Sequence, residues 1–133
     1  MIFNTIKIKI ENMNHQELVE LAQESKTRIQ EITIDEAQKA IAEKDVIILD
    51  VRETDEYESG HLADTLHLSL GEVKEQIHNV IKDKSTKIIC YCGGGNRSAL
   101  ATDTLNQLGY ENVVSLMGGI TAWENSGKEV IRN

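Results

Sequence analysis

Lys87-Ile88-Ile89-Cys90-Tyr91-Cys92-Gly93-Gly94-Gly95-Asn96-Arg97-Ser98 joins an apolar run to three glycines and then to a helical pattern. The run to Cys92 reads as a strand buried on both faces, as in a parallel sheet. The helix starts at about Asn96, turns Leu100, Thr104, Leu105 and Leu108 inward, and stops at Gly109. Strand, tight loop and helix in immediate succession are half of a βαβ unit. Working outward, the same alternation recurs. Val46-Ile47-Ile48-Leu49 forms a second buried strand ending at Asp50, and Val113-Val114-Ser115-Leu116 a third. Helix starts stand at Asn14 with Glu17, Thr33 with Glu36, and Ser69 with Glu72, each Asn, Ser or Thr followed three residues later by a glutamate. Ala122-Trp123 belongs to a terminal helix, with Trp123 as its core anchor. This order specifies an α/β domain with a central, mostly parallel β-sheet. Ligands in such sheets bind beyond the carboxyl ends of the strands. That places Asp50-Val51-Arg52, the loop after Cys92, and Gly118-Gly119 on one edge.

The loop itself has chemical content. Three consecutive glycines let the backbone curl so that several N–H groups converge on one centre. The helix N-terminus adds partial positive charge there, and Arg97 a full one. These influences favour thiolate at Cys92 and form a cradle for an anionic substrate, so nucleophile and oxyanion site come together. Candidate site residues are Cys92 as nucleophile and Gly93, Gly94, Gly95, Asn96, Arg97 and Ser98 as cradle. A turn with no catalytic role is the rival reading of the glycines. The nucleotide P-loop would need Gly-Lys-Ser/Thr, and the dinucleotide fingerprint a glycine where Ser98 stands.

The other cysteine, Cys90, lies inside the strand and reads as a small apolar core residue. A disulfide to Cys92 across one residue would distort the strand end. The pair also lacks the second ligand pair of a zinc site, so neither metal nor cofactor is expected. Asp50 and Arg52 have two open readings: a brace for the loop, with Asp50 accepting its hydrogen bonds, or a strand-end ion pair. His61 is better read as a fold residue than as a base. The acidic stretch Glu53-Thr54-Asp55-Glu56-Tyr57-Glu58 reads as a solvated helix face.

Composition sets the outer limits. The chain has 133 residues, no proline and a formal charge of −8. With 40% apolar and 27% charged residues it has the makeup of one globular domain able to build its own core. The longest stretch without a charged side chain, Asn112 to Trp123, is twelve residues and holds two glycines, too short to span a membrane. The acidic balance argues against nucleic-acid and membrane-surface partners, both polyanions. It predicts that any protein partner brings a basic surface. Two cysteines too close to staple anything point to a reducing, cytoplasmic setting. At the N-terminus, Lys7 and Lys9 interrupt Ile6, Ile8 and Ile10, so no secretory signal is expected. A short strand, a frayed tail, and an upstream extension to a start at Met13 all remain open there.

From Ile32 to Lys128 the pattern resembles the rhodanese-like domain, the single-domain sulfurtransferase type. Three blocks carry the resemblance: Leu49-Asp50-Val51-Arg52 with Glu56-Tyr57 and Gly60-His61-Leu62; Cys92 with Gly95 to Ser98; and Gly109-Tyr110 with Leu116, Gly118-Gly119 and Ala122-Trp123. It implies a three-layer fold with helices on both faces of the sheet, in a domain spanning 31–133 behind an extension, 1–30, with one amphipathic helix. It also implies that Cys92 takes a sulfane sulfur from a small anionic donor such as thiosulfate and passes it, as a persulfide, to a thiol or cyanide. The alternatives are a non-catalytic persulfide carrier or interaction module and, ranked lower, a phosphatase or arsenate reductase. Cys92 to Arg97 spans six residues, the loop length linked with sulfur transfer in this family, and the related phosphatases use one more. Two departures stand out. Ala63-Asp64-Thr65 replaces the usual Pro-Gly-Ala, and Gly93-Gly94 replaces bulkier or charged residues, which makes the pocket more open and less positive.

Overall fold

The computed structural model describes residues 12–132, so the readings offered for Ile6 to Ile10 lie outside the described residues. In chain order the elements are α1 (His15–Lys26), β1 (Glu31–Ile32), α2 (Ile34–Ala42), β2 (Ile47–Asp50), α3 (Thr54–Ser59), β3 (Thr65–His67), α4 (Leu70–Val80), β4 (Lys87–Tyr91), α5 (Asn96–Gln107), β5 (Asn112–Leu116) and α6 (Gly119–Asn125). The strands form one parallel sheet in the order β1-β5-β4-β2-β3. β4 is central, flanked by the other two strands expected from the sequence. The edges, β1 and β3, are two and three residues long, too short to leave a periodic trace.

Successive side chains of a strand point to opposite faces, which sorts the core into two layers. Leu49, Val51, Ile88, Cys90, Cys92 and Val113 face α1, α4 and α5. Ile32, Ile48, Ile89, Tyr91 and Leu116 face α2 and α6, where Trp123 is buried and donates Nε1–H to the Glu129 carbonyl at 2.9 Å. The fold is therefore the expected three-layer α/β arrangement. Cys92 points into the α5 layer because it lies two residues beyond Cys90 and four beyond Ile88.

The helix starts follow the capping chemistry. Thr33 and Glu36 form a reciprocal capping box. Asn14 accepts the Glu17 N–H at 2.8 Å, while Ser69 instead donates to the Glu72 carboxylate at 2.6 Å. At its far end α5 closes in a Schellman motif. Gly109 adopts φ 97°, its N–H donates to Asn106, and the Tyr110 N–H reaches back to Leu105. The inward face of α5 differs from expectation in one respect. Ser98, Ala99, Ala101, Thr102 and Leu105 are buried, whereas Leu100 and Leu108 are only partly so. A helix wedged between the sheet, α1 and α4 needs small side chains to approach all three. Asp64, at the position where the resembling family has glycine, sits at φ 56°, a conformation that aspartate tolerates better than most residues.

The helix assigned to an N-terminal extension is packed into the domain. α1 lies on α5 through buried Ala22 and Ser25, with Leu18 against the core. Ser25 Oγ donates to Asp103 at 3.0 Å, and Arg28 Nη2 reaches the same carboxylate at 2.6 Å. Burial works against the Asp103 charge, but Arg28 and Ser25 outweigh it and hold the carboxyl below its usual range. A carboxyl lowered in the folded state stabilises above its unfolded value, near pH 4, and loses that contribution as pH falls through its folded value. Asp103→Asn should therefore cost about 1–2 kcal/mol at neutral pH, a modest figure because Arg28 is half exposed. In urea melts the gap to wild type should close as the pH drops below about 4. A gap independent of pH would show that the carboxylate charge is not what docks α1.

Candidate active site

The loop between β4 and α5 turns at Gly95, whose φ of 106° belongs to the left-handed region. That turn aims the start of α5 back at the cysteine. Cys92 Sγ accepts the Gly95 N–H at 3.1 Å and the Ser98 N–H at 3.3 Å. The sulfur thus takes the place of a capping oxygen, satisfying donors that a helix start leaves without partners. Ser98 Oγ lies 3.5 Å from Sγ and 2.8 Å from Ser115 Oγ on β5. The N–H groups of Gly93, Gly94, Asn96 and Arg97 have no hydrogen-bond partner among the described residues. Gly94 is exposed at the loop tip, and a Cβ there would meet nothing within 4 Å. The cysteine itself is 1% exposed, beneath the loop whose backbone supplies two donors to its sulfur.

The loop is held from outside by its carbonyls. At the start of α6, Ile120 N–H donates to the Cys92 carbonyl at 2.9 Å and Thr121 N–H to the Gly93 carbonyl at 3.1 Å. The approach is close because Gly119, at φ 59°, has no side chain. A Cβ there would lie 2.4 Å from the Cys92 oxygen and 2.5 Å from that of Gly93. Binding the carbonyls on one side turns the following N–H groups toward the other, where the sulfur is. The sequence placed Gly118-Gly119 at this edge, but not in this role.

Whereas Ser98 places its Oγ beside the sulfur, Asn96 and Arg97 have side chains engaged by partners outside the loop. Asn96 Oδ1 accepts from Lys26 Nζ of α1 at 3.0 Å. Arg97, read from the sequence as a full positive charge at the anion site, is engaged at both Nη atoms by Glu56, at 2.7 and 3.0 Å. The guanidinium stays next to the loop: a Cβ on Gly93 would be 3.4 Å from Nη2. The hydrogen bonds to Glu56 raise the Arg97 pKa against the opposing effect of burial, while Arg97 lowers that of Glu56. The acidic stretch therefore does more than face solvent. Glu56 Oε1 also accepts the Glu53 N–H at 3.1 Å, capping α3. Neither this cap, whose glutamate start is not a usual N-cap residue, nor the partner 41 residues away was expected from the sequence.

Asp50 and Arg52 are not brought to the loop. Of the two readings open from sequence, the structure has the strand-end ion pair. Asp50 is fully buried and accepts from Arg52 Nη2 at 2.8 Å, Arg52 N at 2.9 Å and Tyr91 Oη at 2.6 Å. Arg52 also donates to the Gly60 carbonyl at 2.7 Å, and Tyr91 accepts the Leu62 N–H at 3.1 Å. This network lies on the α2–α6 side of the sheet, opposite Cys92. His61 has a structural setting: Nδ1 bonds the Leu62 carbonyl at 2.9 Å, its backbone pairs with Ile131, and its ring stacks on Tyr57 with centroids 4.2 Å apart. Cys90 is fully buried, and burial pushes its thiol up to about 12, so it stays protonated. Among the described residues no cluster of three or more His, Cys, Asp or Glu side chains has the geometry to hold a metal ion. No helix among them is long and apolar enough to cross a membrane.

Comparison with known proteins fits this geometry. Thiosulfate sulfurtransferase GlpE of Coxiella burnetii is 35% identical over 89 residues, 67% of this chain and 81% of that protein. A sulfurtransferase of Allochromatium vinosum is 32% identical over 71% of this chain and 87% of its own length. The crystal structure of a rhodanese-related protein from Thermoplasma volcanium superposes with a TM-score of 0.70 at 31% identity, covering 78% of this chain and 99% of that one. The family model described as rhodanese-like domain matches residues 33–126, so this chain belongs to the rhodanese-like domain family.

Proposed function

We propose that the protein moves a sulfane sulfur from a donor such as thiosulfate to a thiol acceptor, with Cys92 as carrier. Family membership and relatives named as sulfurtransferases support sulfur transfer in general. The observation that carries the particular reading is a buried sulfur that accepts two backbone N–H groups of a loop whose other N–H groups, at Gly93, Gly94, Asn96 and Arg97, have no partner among the described residues. In the first half-reaction the Cys92 thiolate attacks the outer sulfur of thiosulfate. The S–S bond of the donor breaks, sulfite leaves with the bonding electron pair, and Cys92 holds a persulfide. The terminal sulfur carries negative charge within reach of the Gly93, Gly94, Asn96 and Arg97 N–H groups. Donors fixed in advance at a helix N-terminus stabilise such charge without reorganising. In the second half-reaction an acceptor thiolate or cyanide attacks that sulfur, forming a new persulfide or thiocyanate and returning Cys92 as thiolate. A thiol that cycles in this way suits the reducing cytoplasm.

The test is mass spectrometry after incubation with thiosulfate. The wild type should gain the mass of one sulfur atom, and cyanide should remove it. Cys92→Ser should gain nothing, even though Cys90 remains. An unmodified wild type, or an undiminished adduct on the variant, overturns the mechanism.

A further inference from the structure

Arg97 is a cation of the cradle itself, and Glu56 has taken its fork. A guanidinium binds a tetrahedral oxyanion best through two parallel N–H bonds, the same geometry in which it binds a carboxylate. Here both Nη atoms are committed to Glu56, and the pair is partly shielded, with side chains 24% and 35% exposed. Glu53, Asp55 and Glu58 stand exposed on and before the same short helix and add to the local negative charge. An oxyanion with two charges must then either displace the Glu56 carboxylate or settle for the guanidinium N–H groups that Glu56 leaves, whose charge it neutralises, together with the backbone N–H groups. A single anionic sulfur on Cys92 needs only those N–H groups and is indifferent to the fork.

From this we infer that Glu56 is a specificity-determining residue, which occupies the Arg97 fork and so weakens binding of tetrahedral dianions, phosphate and the sulfonate end of thiosulfate alike, at the cradle. The inference rests on the sulfur-transfer reading for the identity of the donor. Glu56 acts through Arg97 and is a positioning residue, touching neither donor nor persulfide.

Inorganic phosphate is the probe, titrated against the reduced protein and followed by the amide shifts of Gly94 and Gly95. Glu56→Gln keeps an oxygen for the Glu53 N–H cap but gives up the charge that holds Arg97. Its phosphate affinity should rise by about tenfold or more, the gain expected when a charge-assisted bidentate contact becomes available. The double variant Glu56→Gln/Arg97→Gln replaces a neutral pair by a neutral pair and should return to within about threefold of wild type. Arg97→Gln alone leaves a bare carboxylate and should bind more weakly. In cyanide-coupled turnover, Glu56→Gln should lower KM for thiosulfate by a factor similar to its phosphate gain while kcat changes less. If Glu56→Gln does not fold, Glu56→Asp, whose shorter carboxylate cannot span both Nη atoms, should show a smaller gain of the same sign. Unchanged or weaker phosphate binding in the folded Glu56 variant overturns the inference, as does a gain that survives removal of Arg97. Because the phosphate titration involves no sulfur chemistry, its failure is distinct from failure of the mass experiment.

Discussion

Asp50→Ala should lower stability by about 3–5 kcal/mol, among the largest effects of any single side-chain truncation here. The Asp50 carboxylate has no exposed surface and ends three hydrogen-bonding relationships at once: the Nε–Nη2 edge of the Arg52 guanidinium, the Arg52 N–H, and the Tyr91 hydroxyl. Arg52 is 5% exposed, and with Asp50 beside it the guanidinium holds its proton even more firmly than usual. Without the carboxylate a charged group would remain inside with no ion-pair partner in contact, beside the Gly60 carbonyl and the Tyr91 ring 5.6 Å away. Breaking one partner of such a pair is far more damaging than replacing both. A double variant, Asp50→Leu/Arg52→Met, should thus recover a substantial part of the loss. For a domain of this length the single change corresponds to a fall in melting temperature of roughly 10–20 °C. Thermal melts of the single and double variants decide the matter. A fall of only a few degrees for Asp50→Ala would mean that water reaches Arg52 and that the network is less buried than its geometry implies. The effect should fall on stability rather than on sulfur transfer per folded molecule, because the network sits across the sheet from Cys92.

That last point shows where sequence reading reaches and where it stops. Asp50 and Arg52 are two residues apart, close enough to read as an ion pair, yet which face of the sheet they occupy depends on the register of β2 against β4. The Cys92 loop was legible because everything that makes it is contiguous: the strand, the glycines and the helix start follow one another, and local backbone preferences suffice. The central strands were legible for the same reason, their apolar runs being uninterrupted. What escaped is what the crossovers assemble. Glu56 comes to Arg97, Lys26 to Asn96 and Gly119 to the Cys92 carbonyl only after the chain has wound around the sheet. Periodicity states which residues face inward but not which of them meet. The two edge strands escaped for another reason. At two and three residues they are defined by hydrogen bonds to a neighbour, not by any pattern of their own.

Gly119→Ala should lower kcat/KM for thiosulfate by about a hundredfold or more, although residue 119 touches neither the sulfur nor the Gly95 and Ser98 N–H groups that bind it. Two costs coincide. An alanine at φ 59° is strained by about 1–2 kcal/mol, and its Cβ would overlap backbone atoms, 2.4 Å from the Cys92 oxygen and 2.7 Å from the Gly93 carbonyl carbon. Backbone on both sides cannot rotate away as a flexible side chain can, so either the start of α6 or the cysteine loop must shift. Either shift breaks the bonds from Ile120 and Thr121 to the Cys92 and Gly93 carbonyls, which fix the direction of the loop N–H groups. A displacement of about 1 Å is enough to take preorganised donors off a developing charge. The comparison that isolates this effect is Gly94→Ala, in the same loop, where a Cβ has open space and the backbone is not left-handed. Its stability should stay within about 0.5 kcal/mol of wild type, the range of surface substitutions. Urea melts and thiosulfate–cyanide turnover on the two variants give the answer. If Gly119→Ala were folded and as active as wild type, the α6 contacts would not be what aims the loop, and the orientation of the cradle would have to reside in Gly95 and the start of α5 alone.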